Sequence, residues 1–287
     1  MSKIYLISLE RYADIFYRNR IFSRAEIAVK AYLINLDRCP ERLVRMQEQF
    51  AKASVPFERV AAVDGKNLSD QELASIIRIP SWKEPLTRTE IGCFLSHRKC
   101  LELIAQGEDR FAAIFEDDVT LSKDTRQFFE STDWIPDNAE LIKIETQGKK
   151  VLTDKPVVTI AGRYTVAQLR SQHILAAGYI VSRDCARKLL CRMNDAASPI
   201  DHLLFTPSCG FFPQMTVYQV SPAICMQAGL ESTLSPERSS QYCPPAKMQR
   251  LKREVKRVFV RGKTGLWGLY INCFTKKRWG RVPGARD

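Results

Sequence analysis

The sequence predicts a single α/β domain, in which a sheet is flanked by helices, followed by a basic helical tail. Two observations support this prediction. From residue 31 onward, short apolar runs alternate with segments of helical periodicity, which is typical of α/β folds. The chain of 287 residues is also 45% apolar, which is enough for one large core.

Charge is distributed unevenly along the chain. Residues 247–287 hold 13 Lys and Arg but only 2 acidic residues, so nearly all of the net charge of +12 belongs to this tail. The rest of the chain is close to neutral. No run approaches the roughly 18 to 20 consecutive apolar residues of a transmembrane helix, which predicts a soluble or peripheral protein.

Cysteine and histidine usage bears on the compartment and on metals. The nine cysteines are an odd number, contain no CxxC pair and follow no apolar leader. This pattern favours reduced thiols in a cytosol over a disulfide framework. The three histidines have no cysteine or second histidine at zinc-ligand spacing, which argues against a zinc site.

The first strand is predicted at residues 31–36 (AYLINL), followed by a helix that Pro40 can open. Residues 57–65 (FERVAAVDG) predict a second strand that ends in an Asp-Gly loop. The apolar residues of the intervening helix recur at helical spacing: Leu43, Met46 and Phe50.

A second helix is predicted from the capping box formed by Thr87 and Glu90. Its apolar residues cover more than one face, so we expect it to be largely buried. It leads directly into an apolar strand that begins at Phe111. Beyond this strand, the pattern predicts strands at residues 139–144 and 174–182 and a helix at residues 183–193. Residues 157–166 predict a further β segment, which Gly162 weakens.

The segment FAAIFEDDVTL at residues 111–121 runs from five mostly apolar residues into Glu116, Asp117 and Asp118. Such a run predicts a buried parallel strand whose last side chains lie at the carboxyl edge of the sheet, where open α/β sheets bind ligands. Adjacent carboxylates repel one another unless a cation lies among them, and their oxygens suit Mn²⁺ or Mg²⁺. A solvated acidic turn is the alternative interpretation.

The beginning of the chain contains a near copy of the first strand region. Residues 3–11 (KIYLISLER) echo residues 30–38 (KAYLINLDR), but only the second copy is followed by a helix and a strand. We therefore interpret residues 1–29 as an N-terminal extension, residues 30–240 as the folded domain and residues 241–287 as the basic tail.

Five segments, in this order, resemble glycosyltransferase family 25: INLDRCPER (34–42), AAVDG (61–65), LTRTEIGCFLSHRKC (86–100), IFEDDV (114–119) and GYIVSRDCARKLL (178–190). The resemblance covers about residues 30–235. It implies a GT-A fold, which is a Rossmann-like mixed sheet flanked by helices. It also implies a metal-dependent inverting transfer from a UDP-sugar, most often UDP-galactose, as in a β-1,4-galactosyltransferase.

The resemblance also implies roles for individual residues. Asp118 is the expected principal metal ligand, while Glu116 and Asp117 are supporting ligands or sugar contacts whose order the sequence leaves open. Glycine at position 65 permits close backbone approach to a ligand, although a plain turn is the alternative. The alternative for His97 is a structural role as a core histidine whose hydrogen bonds are satisfied. The residues expected to bind the donor are Asn35, Asp37, Arg42, Asp64, Gly65, His97 and Asp117.

An inverting sugar transfer needs a carboxylate that removes the proton from the acceptor hydroxyl. The acids of the metal site are occupied, so Asp201, in the PID segment at residues 199–201, is the first candidate base. Its alternative role is a helix cap or a salt bridge. Glu231 is the second candidate.

The expected function is therefore sugar transfer to a lipid-linked lipooligosaccharide acceptor. A nucleotidyltransferase is one alternative, but it would favour a Gly-rich, Lys-containing phosphate loop near the first strand, and the sequence has none. A nucleic-acid-binding protein is another, because the tail interleaves aromatic and basic residues. The near-neutral body offers no matching charge, and we expect no nucleic-acid partner.

The tail contains two apolar clusters among basic residues. Residues 248–259 have apolar side chains at helical spacing with Lys and Arg between them, which predicts a basic amphipathic helix. Residues 266–274 form a second apolar cluster before Lys276, Lys277 and Arg278. We expect this tail to bind the anionic inner face of the bacterial inner membrane, with a basic helix packed on the body as the alternative.

Overall fold

The computed structural model describes residues 27–76, 86–193, 198–207, 211–230 and 267–285. The expectations for the first 26 residues, for Glu231 and for the amphipathic segment 248–259 lie outside these ranges.

The centre of the molecule is an eight-stranded mixed sheet with the strand order β2-β1-β3-β9-β5-β10-β8-β7. Two further pairs, β4 with β11 and β6 with β12, form two-stranded sheets. The strands are β1 (Lys30–Asn35), β2 (Glu58–Ala61), β3 (Phe111–Glu116), β4 (Val119–Leu121), β5 (Leu141–Lys143), β6 (Lys150–Asp154), β7 (Val158–Ile160), β8 (Tyr164–Gln168), β9 (Gly178–Ser182), β10 (Val217–Ser221), β11 (Cys225–Gln227) and β12 (Lys277–Arg281).

Helices cover both faces of this sheet. The helices of the described residues are α1 (Pro40–Lys52), α2 (Asp70–Ile76), α3 (Arg88–Gln106), α4 (Arg183–Met193), α5 (Ile200–Phe205) and α6 (residues 267–274). Short 3₁₀ helices lie at Gly65–Asn67, Lys123–Phe128 and Phe212–Gln214. Within the described ranges, none of the helices combines the length and the apolar character that crossing a bilayer requires.

The sheet separates two hydrophobic cores because side chains alternate along each strand. On β1, Tyr32 and Ile34 face a core that they share with α3, α4 and α5. Leu33, between them, faces a second core that contains Met46 and Phe50 of α1. The predicted mixed sheet flanked by helices is confirmed.

Strand direction determines where polar side chains meet. β1 lies between β2 and β3 and is parallel to both, with Ile34 opposite Glu116 and Asn35 opposite Ala61. The carboxyl ends of three strands therefore lie at one edge of the sheet. β3 also pairs with β9, but in the antiparallel direction.

Several predicted elements are found where the sequence placed them. α1 begins at Pro40, and α4 has the predicted bounds. The capping box of α3 is present in full, with the Thr87 hydroxyl accepting from the Glu90 backbone and the Glu90 carboxylate accepting from the Thr87 backbone. As predicted, α3 is largely buried.

Two predicted β segments require correction. The segment 157–166 is a hairpin of β7 and β8, because Ala161 and Gly162 adopt positive φ angles of 49° and 64° and turn the chain. The predicted strand at 174–182 begins only at Gly178, since Leu175 has a φ of 82° that no strand permits. Asp201, predicted just past α4, lies in the first turn of α5.

The described end of the tail packs against the domain. β12 pairs with β6 in antiparallel register, from Lys277 opposite Asp154 to Arg281 opposite Lys150. Beyond β12, Val282 is buried and its carbonyl accepts a 2.7 Å hydrogen bond from the Thr146 hydroxyl. The last part of the predicted tail is thus an integral part of the fold.

Candidate active site

A pocket opens at the carboxyl edge formed by β1, β2 and β3. Most of the predicted site residues line it, although they come from four separate parts of the chain. The predicted residues in its lining are Asn35, Arg42, Asp64, Gly65, His97, Glu116, Asp117 and Asp118. Gln227 of β11 contributes to the lining from the other end of the chain.

Asp117 joins the ends of two strands. Its Oδ2 accepts a 2.7 Å hydrogen bond from the Asn35 amide, and its Oδ1 accepts a 3.1 Å charged bond from the Arg42 guanidinium. The Asn35 amide also donates to the Cys39 carbonyl at 3.1 Å, while its oxygen accepts from Arg59 at 3.0 Å. Both oxygens of Asp117 are therefore engaged by protein groups.

Glu116 is held from the side of α3. The His97 imidazole is fully buried, with Nε2 lying 3.1 Å from the Glu116 carboxylate and Nδ1 lying 3.0 Å from the Tyr179 hydroxyl. His97 thus fixes Glu116 from behind and is itself fixed by Tyr179, as second-layer groups do at metal and nucleotide sites.

Cys93 is a member of this group that our sequence reasoning missed. Its Sγ lies 3.8 Å from Glu116, and the ligand-type atoms of Cys93, His97 and Glu116 all lie within 4.8 Å of one another. Burial and the nearby Glu116 carboxylate raise the pKa of the Cys93 thiol well above its ordinary value, so it is protonated at neutral pH. The four-residue spacing of Cys93 and His97, one turn of a helix, is the signal that could have found it. The expectation that no histidine has a cysteine at ligand spacing was therefore wrong for His97.

Asp118 differs from its two neighbours in the triplet. Its Oδ1 is buried and has no hydrogen-bond partner among the described residues. Burial, together with the charges of Glu116, Asp117 and Glu145, raises the pKa of Asp118 to about 7. An unpartnered buried carboxylate oxygen next to other acids is an arrangement that a divalent cation stabilises, so the donor set fits Mn²⁺ or Mg²⁺.

Asp64 and Gly65 form the far side of the pocket. Asp64 accepts a 2.6 Å hydrogen bond from Arg38 and caps the following 3₁₀ helix through the Lys66 backbone. The space beside the Gly65 Cα is occupied by α3, since a Cβ there would lie 1.7 Å from the Arg88 carbonyl oxygen. The close approach that Gly65 permits is therefore to a helix backbone, in addition to its place in the pocket lining.

Two predicted residues, Asp37 and Asp201, are not part of this lining. Asp37 is exposed and pairs with Arg59. Asp201 accepts backbone hydrogen bonds from Leu175 at 3.3 Å and from His202 at 2.8 Å. Glu231 lies outside the described residues.

A buried ion pair lies behind the acidic triplet. Lys143 and Glu145 are both fully buried, with Nζ 3.3 Å from Oε2. Lys143 also donates to the Leu175 carbonyl and lies 4.2 Å from the centre of the Phe205 ring, and Glu145 accepts from the Ala177 backbone at 3.0 Å. Burial raises the pKa of Glu145 to about 7 against the opposing effect of Lys143.

Backbone groups link this pair to the triplet and to Asp201: the Ala177 carbonyl accepts from the Glu116 N–H at 3.0 Å, and the Ala177 N–H donates to Glu145. Leu175 accepts from Lys143 through its carbonyl and donates to Asp201 through its N–H, so one residue with a strained backbone links both groups. Sequence reasoning missed the pair, although two charges at alternating positions of the apolar segment LIKIET were a visible signal.

A helix-flanked mixed sheet with an acidic cluster at the carboxyl edge of its parallel strands belongs to the α/β proteins that bind ligands at this edge. Residues 28–204 match the family model described as glycosyltransferase family 25 (LPS biosynthesis protein), and the chain belongs to this family. The resemblance inferred from the five ordered segments is thereby confirmed, and the chain is a glycosyltransferase.

Three curated relatives show the range of this similarity. The lacto-N-neotetraose biosynthesis glycosyltransferase LgtE of Neisseria gonorrhoeae is 30% identical over 68% of this chain and 73% of its own length. The lipooligosaccharide biosynthesis protein lic2B of Haemophilus influenzae is 29% identical over 86% and 96%, respectively. A glycosyltransferase 25 family member of Drosophila melanogaster is 31% identical over 65% of this chain and 30% of its own.

Proposed function

We propose that this glycosyltransferase moves a sugar from a UDP-sugar to a lipid-linked lipooligosaccharide, with inversion at the anomeric carbon, and that the sugar is galactose. Membership of family 25 and the similarity to the bacterial proteins LgtE and lic2B support the acceptor class. The β-1,4 linkage type belongs to the same proposal.

The observation that supports this function best is that the three carboxylates of the acidic triplet differ in their hydrogen-bond partners. Asp117 is engaged by Asn35 and Arg42, and Glu116 is engaged by His97 and Cys93. Asp118 alone of the three has a buried oxygen without a partner among the described residues. We assign Asp118 as the principal ligand of Mn²⁺ or Mg²⁺ and Glu116 as the supporting one.

The metal, when bound, neutralises the diphosphate and stabilises the negative charge that develops on the departing UDP. The protein groups bind and orient the donor around it. Arg42 adds a positive charge on the pocket wall, and Asn35 lies at the end of β1, where a nucleotide would rest. Asp64 offers a carboxylate oxygen to sugar or ribose hydroxyls.

The acceptor proton requires a separate base. Asp201 remains our first candidate, because its position in α5 is set by the Leu175 backbone and it lies close enough to Cys93 of the pocket to influence that thiol. Glu231 is the second candidate. The base removes the proton from the acceptor hydroxyl as that oxygen attacks the anomeric carbon.

The place of action follows from the acceptor. A lipid-linked oligosaccharide is presented at a membrane surface, so we propose a peripheral enzyme on the cytoplasmic face of the bacterial inner membrane.

A donor screen tests the proposal. Calorimetry with Mn²⁺ present should show the tightest binding for UDP-galactose when it is compared with UDP-glucose and UDP-N-acetylglucosamine, and binding should weaken when the metal is chelated. UDP release should then require a truncated lipooligosaccharide. Tighter binding of another nucleotide sugar would refute the assignment of UDP-galactose as the donor. Metal-independent binding would refute the metal assignment.

A further inference from the structure

An exposed apolar face lies on the C-terminal helix α6. The inner side of this helix packs on the β6–β12 sheet: Ile271 is buried, and Gly268 lies so close to the Trp279 ring that a Cβ would come within 2.3 Å of it. The outer side contains three large apolar side chains, Leu269, Tyr270 and Phe274, which are 67%, 58% and 75% exposed.

Basic side chains lie next to this face. Lys276 and Lys277 follow α6 after Thr275, and the Lys155 backbone N–H donates to the Lys276 carbonyl at 3.2 Å, which brings a third lysine beside them. Within the described ranges, no ion pair engages any of these three ammonium groups. Four more exposed basic residues lie on or next to the same two strands: Lys149, Lys150, Arg278 and Arg281.

We propose that α6 and these basic residues form a docking surface for an anionic phospholipid bilayer. This inference rests on the proposed function, in which the acceptor is lipid-linked, and it specifies the surface that meets the lipid. The three apolar side chains would enter the boundary between headgroups and acyl chains, where aromatic residues are favoured. Residues 267–275 contain no charged side chain that would oppose insertion.

Charge complementarity selects an anionic bilayer as the occupant of this face. The exposed charges around α6 are predominantly positive, because Asp154, the acidic residue of β6, is already paired with Arg170. An anionic surface attracts each nearby Lys or Arg by about 1 kcal/mol, which is about fivefold in binding. Three lysines therefore change binding on the order of 100-fold.

The segment after β12 packs against β11 and so connects the docking surface to the pocket. After β12, Gly284 pairs with Ala223 and lies directly against the Met226 side chain. Met226 precedes Gln227, which lines the pocket. Docking at α6 would thus hold the pocket close to an acceptor embedded in the same bilayer.

Co-sedimentation with vesicles tests this proposal on the full chain. We expect the protein to pellet with vesicles of phosphatidylcholine and phosphatidylglycerol at low salt and to remain in the supernatant with phosphatidylcholine alone. The triple variant Lys155→Gln, Lys276→Gln, Lys277→Gln should bind on the order of 100-fold more weakly. The triple variant Leu269→Ser, Tyr270→Ser, Phe274→Ser should lose binding by at least tenfold.

Matched controls keep the result specific. Val44 is an exposed apolar residue of α1, and Lys52 is an exposed lysine at the end of the same helix. Val44→Ser and Lys52→Gln should leave vesicle binding unchanged. Point variants are preferable to removal of the tail, because β12 is paired with β6 and its loss would disturb the domain.

Three results would overturn the docking surface. They are absence of vesicle binding by the full chain, equal binding by the variants and the controls, and a dimer in sedimentation velocity that dissociates only in the apolar triple variant. Transfer to a soluble truncated acceptor, assayed without lipid, separates this inference from the function. Retained transfer without vesicle binding refutes docking alone, whereas vesicle binding without transfer refutes the function alone.

Discussion

The Asn35 amide donates a 2.7 Å hydrogen bond to Asp117, which lies 82 residues further along the chain. This bond joins the ends of β1 and β3, and the Arg42 guanidinium completes the engagement of Asp117 at 3.1 Å. The neighbouring Asp118 has a buried oxygen without a partner among the described residues. Within one acidic segment, one carboxylate holds the strand ends together and the next is available to a ligand.

The first prediction concerns this bond. Asn35→Ala should lower the free energy of unfolding by about 1–3 kcal/mol, because it leaves a buried carboxylate oxygen of Asp117 without its donor. Urea denaturation at pH 7 measures the change. Asn138→Ala, which removes an exposed amide that accepts from Tyr218, is the control and should change stability by less. Equal effects of the two substitutions would contradict the structural role of Asn35.

The second prediction concerns Asp118. Asp118→Asn should abolish metal-dependent donor binding and leave the fold intact, because the amide removes the charge that attracts the ion while keeping the shape of the side chain. Titration of UDP in the presence and absence of Mn²⁺ measures the effect. If the variant binds UDP with unchanged Mn²⁺ dependence, the metal assignment is wrong.

The third prediction follows from the pKa of Asp118, which is about 7 in the folded chain and lower in the unfolded chain. A carboxyl whose pKa is raised by folding holds its proton more tightly in the folded state, so its contribution to stability falls as pH rises from about 4 to 7. In the presence of a chelator, Asp118→Asn should therefore gain stability relative to the unmodified protein across this range, by on the order of 4 kcal/mol at pH 7. A constant difference between the two proteins from pH 4 to 8 would refute this.

Much of the fold and of the pocket could be predicted from local patterns. α1 and α3 have strong start signals in Pro40 and the Thr87–Glu90 capping box, which depend on neighbouring residues alone. The acidic triplet follows an apolar strand, and parallel pairing with β1 then brings Asn35 to the same edge. The order of the segments and the direction of the strands together bring the triplet and Asn35 to one edge of the sheet.

Other features depend on contacts between distant segments, which a single sequence does not reveal. In the sequence, Lys143 and Glu145 have the pattern of exposed charges. They are buried because β5 lies between β9 and β10 in the centre of the sheet. By composition the tail is one basic segment. Its strand β12 nevertheless pairs with β6, which lies more than a hundred residues earlier in the chain. The positive φ of Leu175 delays the start of the predicted strand to Gly178, through a backbone conformation that its residue type does not favour.

The fourth prediction tests Asp201 as the base. Asp201→Asn should preserve donor affinity and lower turnover by about 10²- to 10⁴-fold, since an amide can still accept from the Leu175 backbone but cannot take up the acceptor proton. Donor binding by calorimetry and transfer to a truncated acceptor separate the two effects. Glu231→Gln is the matched substitution. Near-normal transfer by Asp201→Asn with loss in Glu231→Gln would move the base to Glu231.

The last prediction concerns the buried pair of Lys143 and Glu145. Lys143→Met alone should destabilise the protein by about 3–5 kcal/mol at pH 8, because it leaves a carboxylate buried without its counter-charge. The loss should be smaller at pH 5, where Glu145, with a pKa raised to about 7 even beside Lys143, is neutral in the folded chain. Combining Lys143→Met with Glu145→Gln removes both charges at similar volume and should restore most of the stability. Urea denaturation at the two pH values measures all three proteins. A double variant as unstable as the single one would mean that the lysine acts through its contacts with the Leu175 carbonyl and the Phe205 ring, and not through its charge on Glu145.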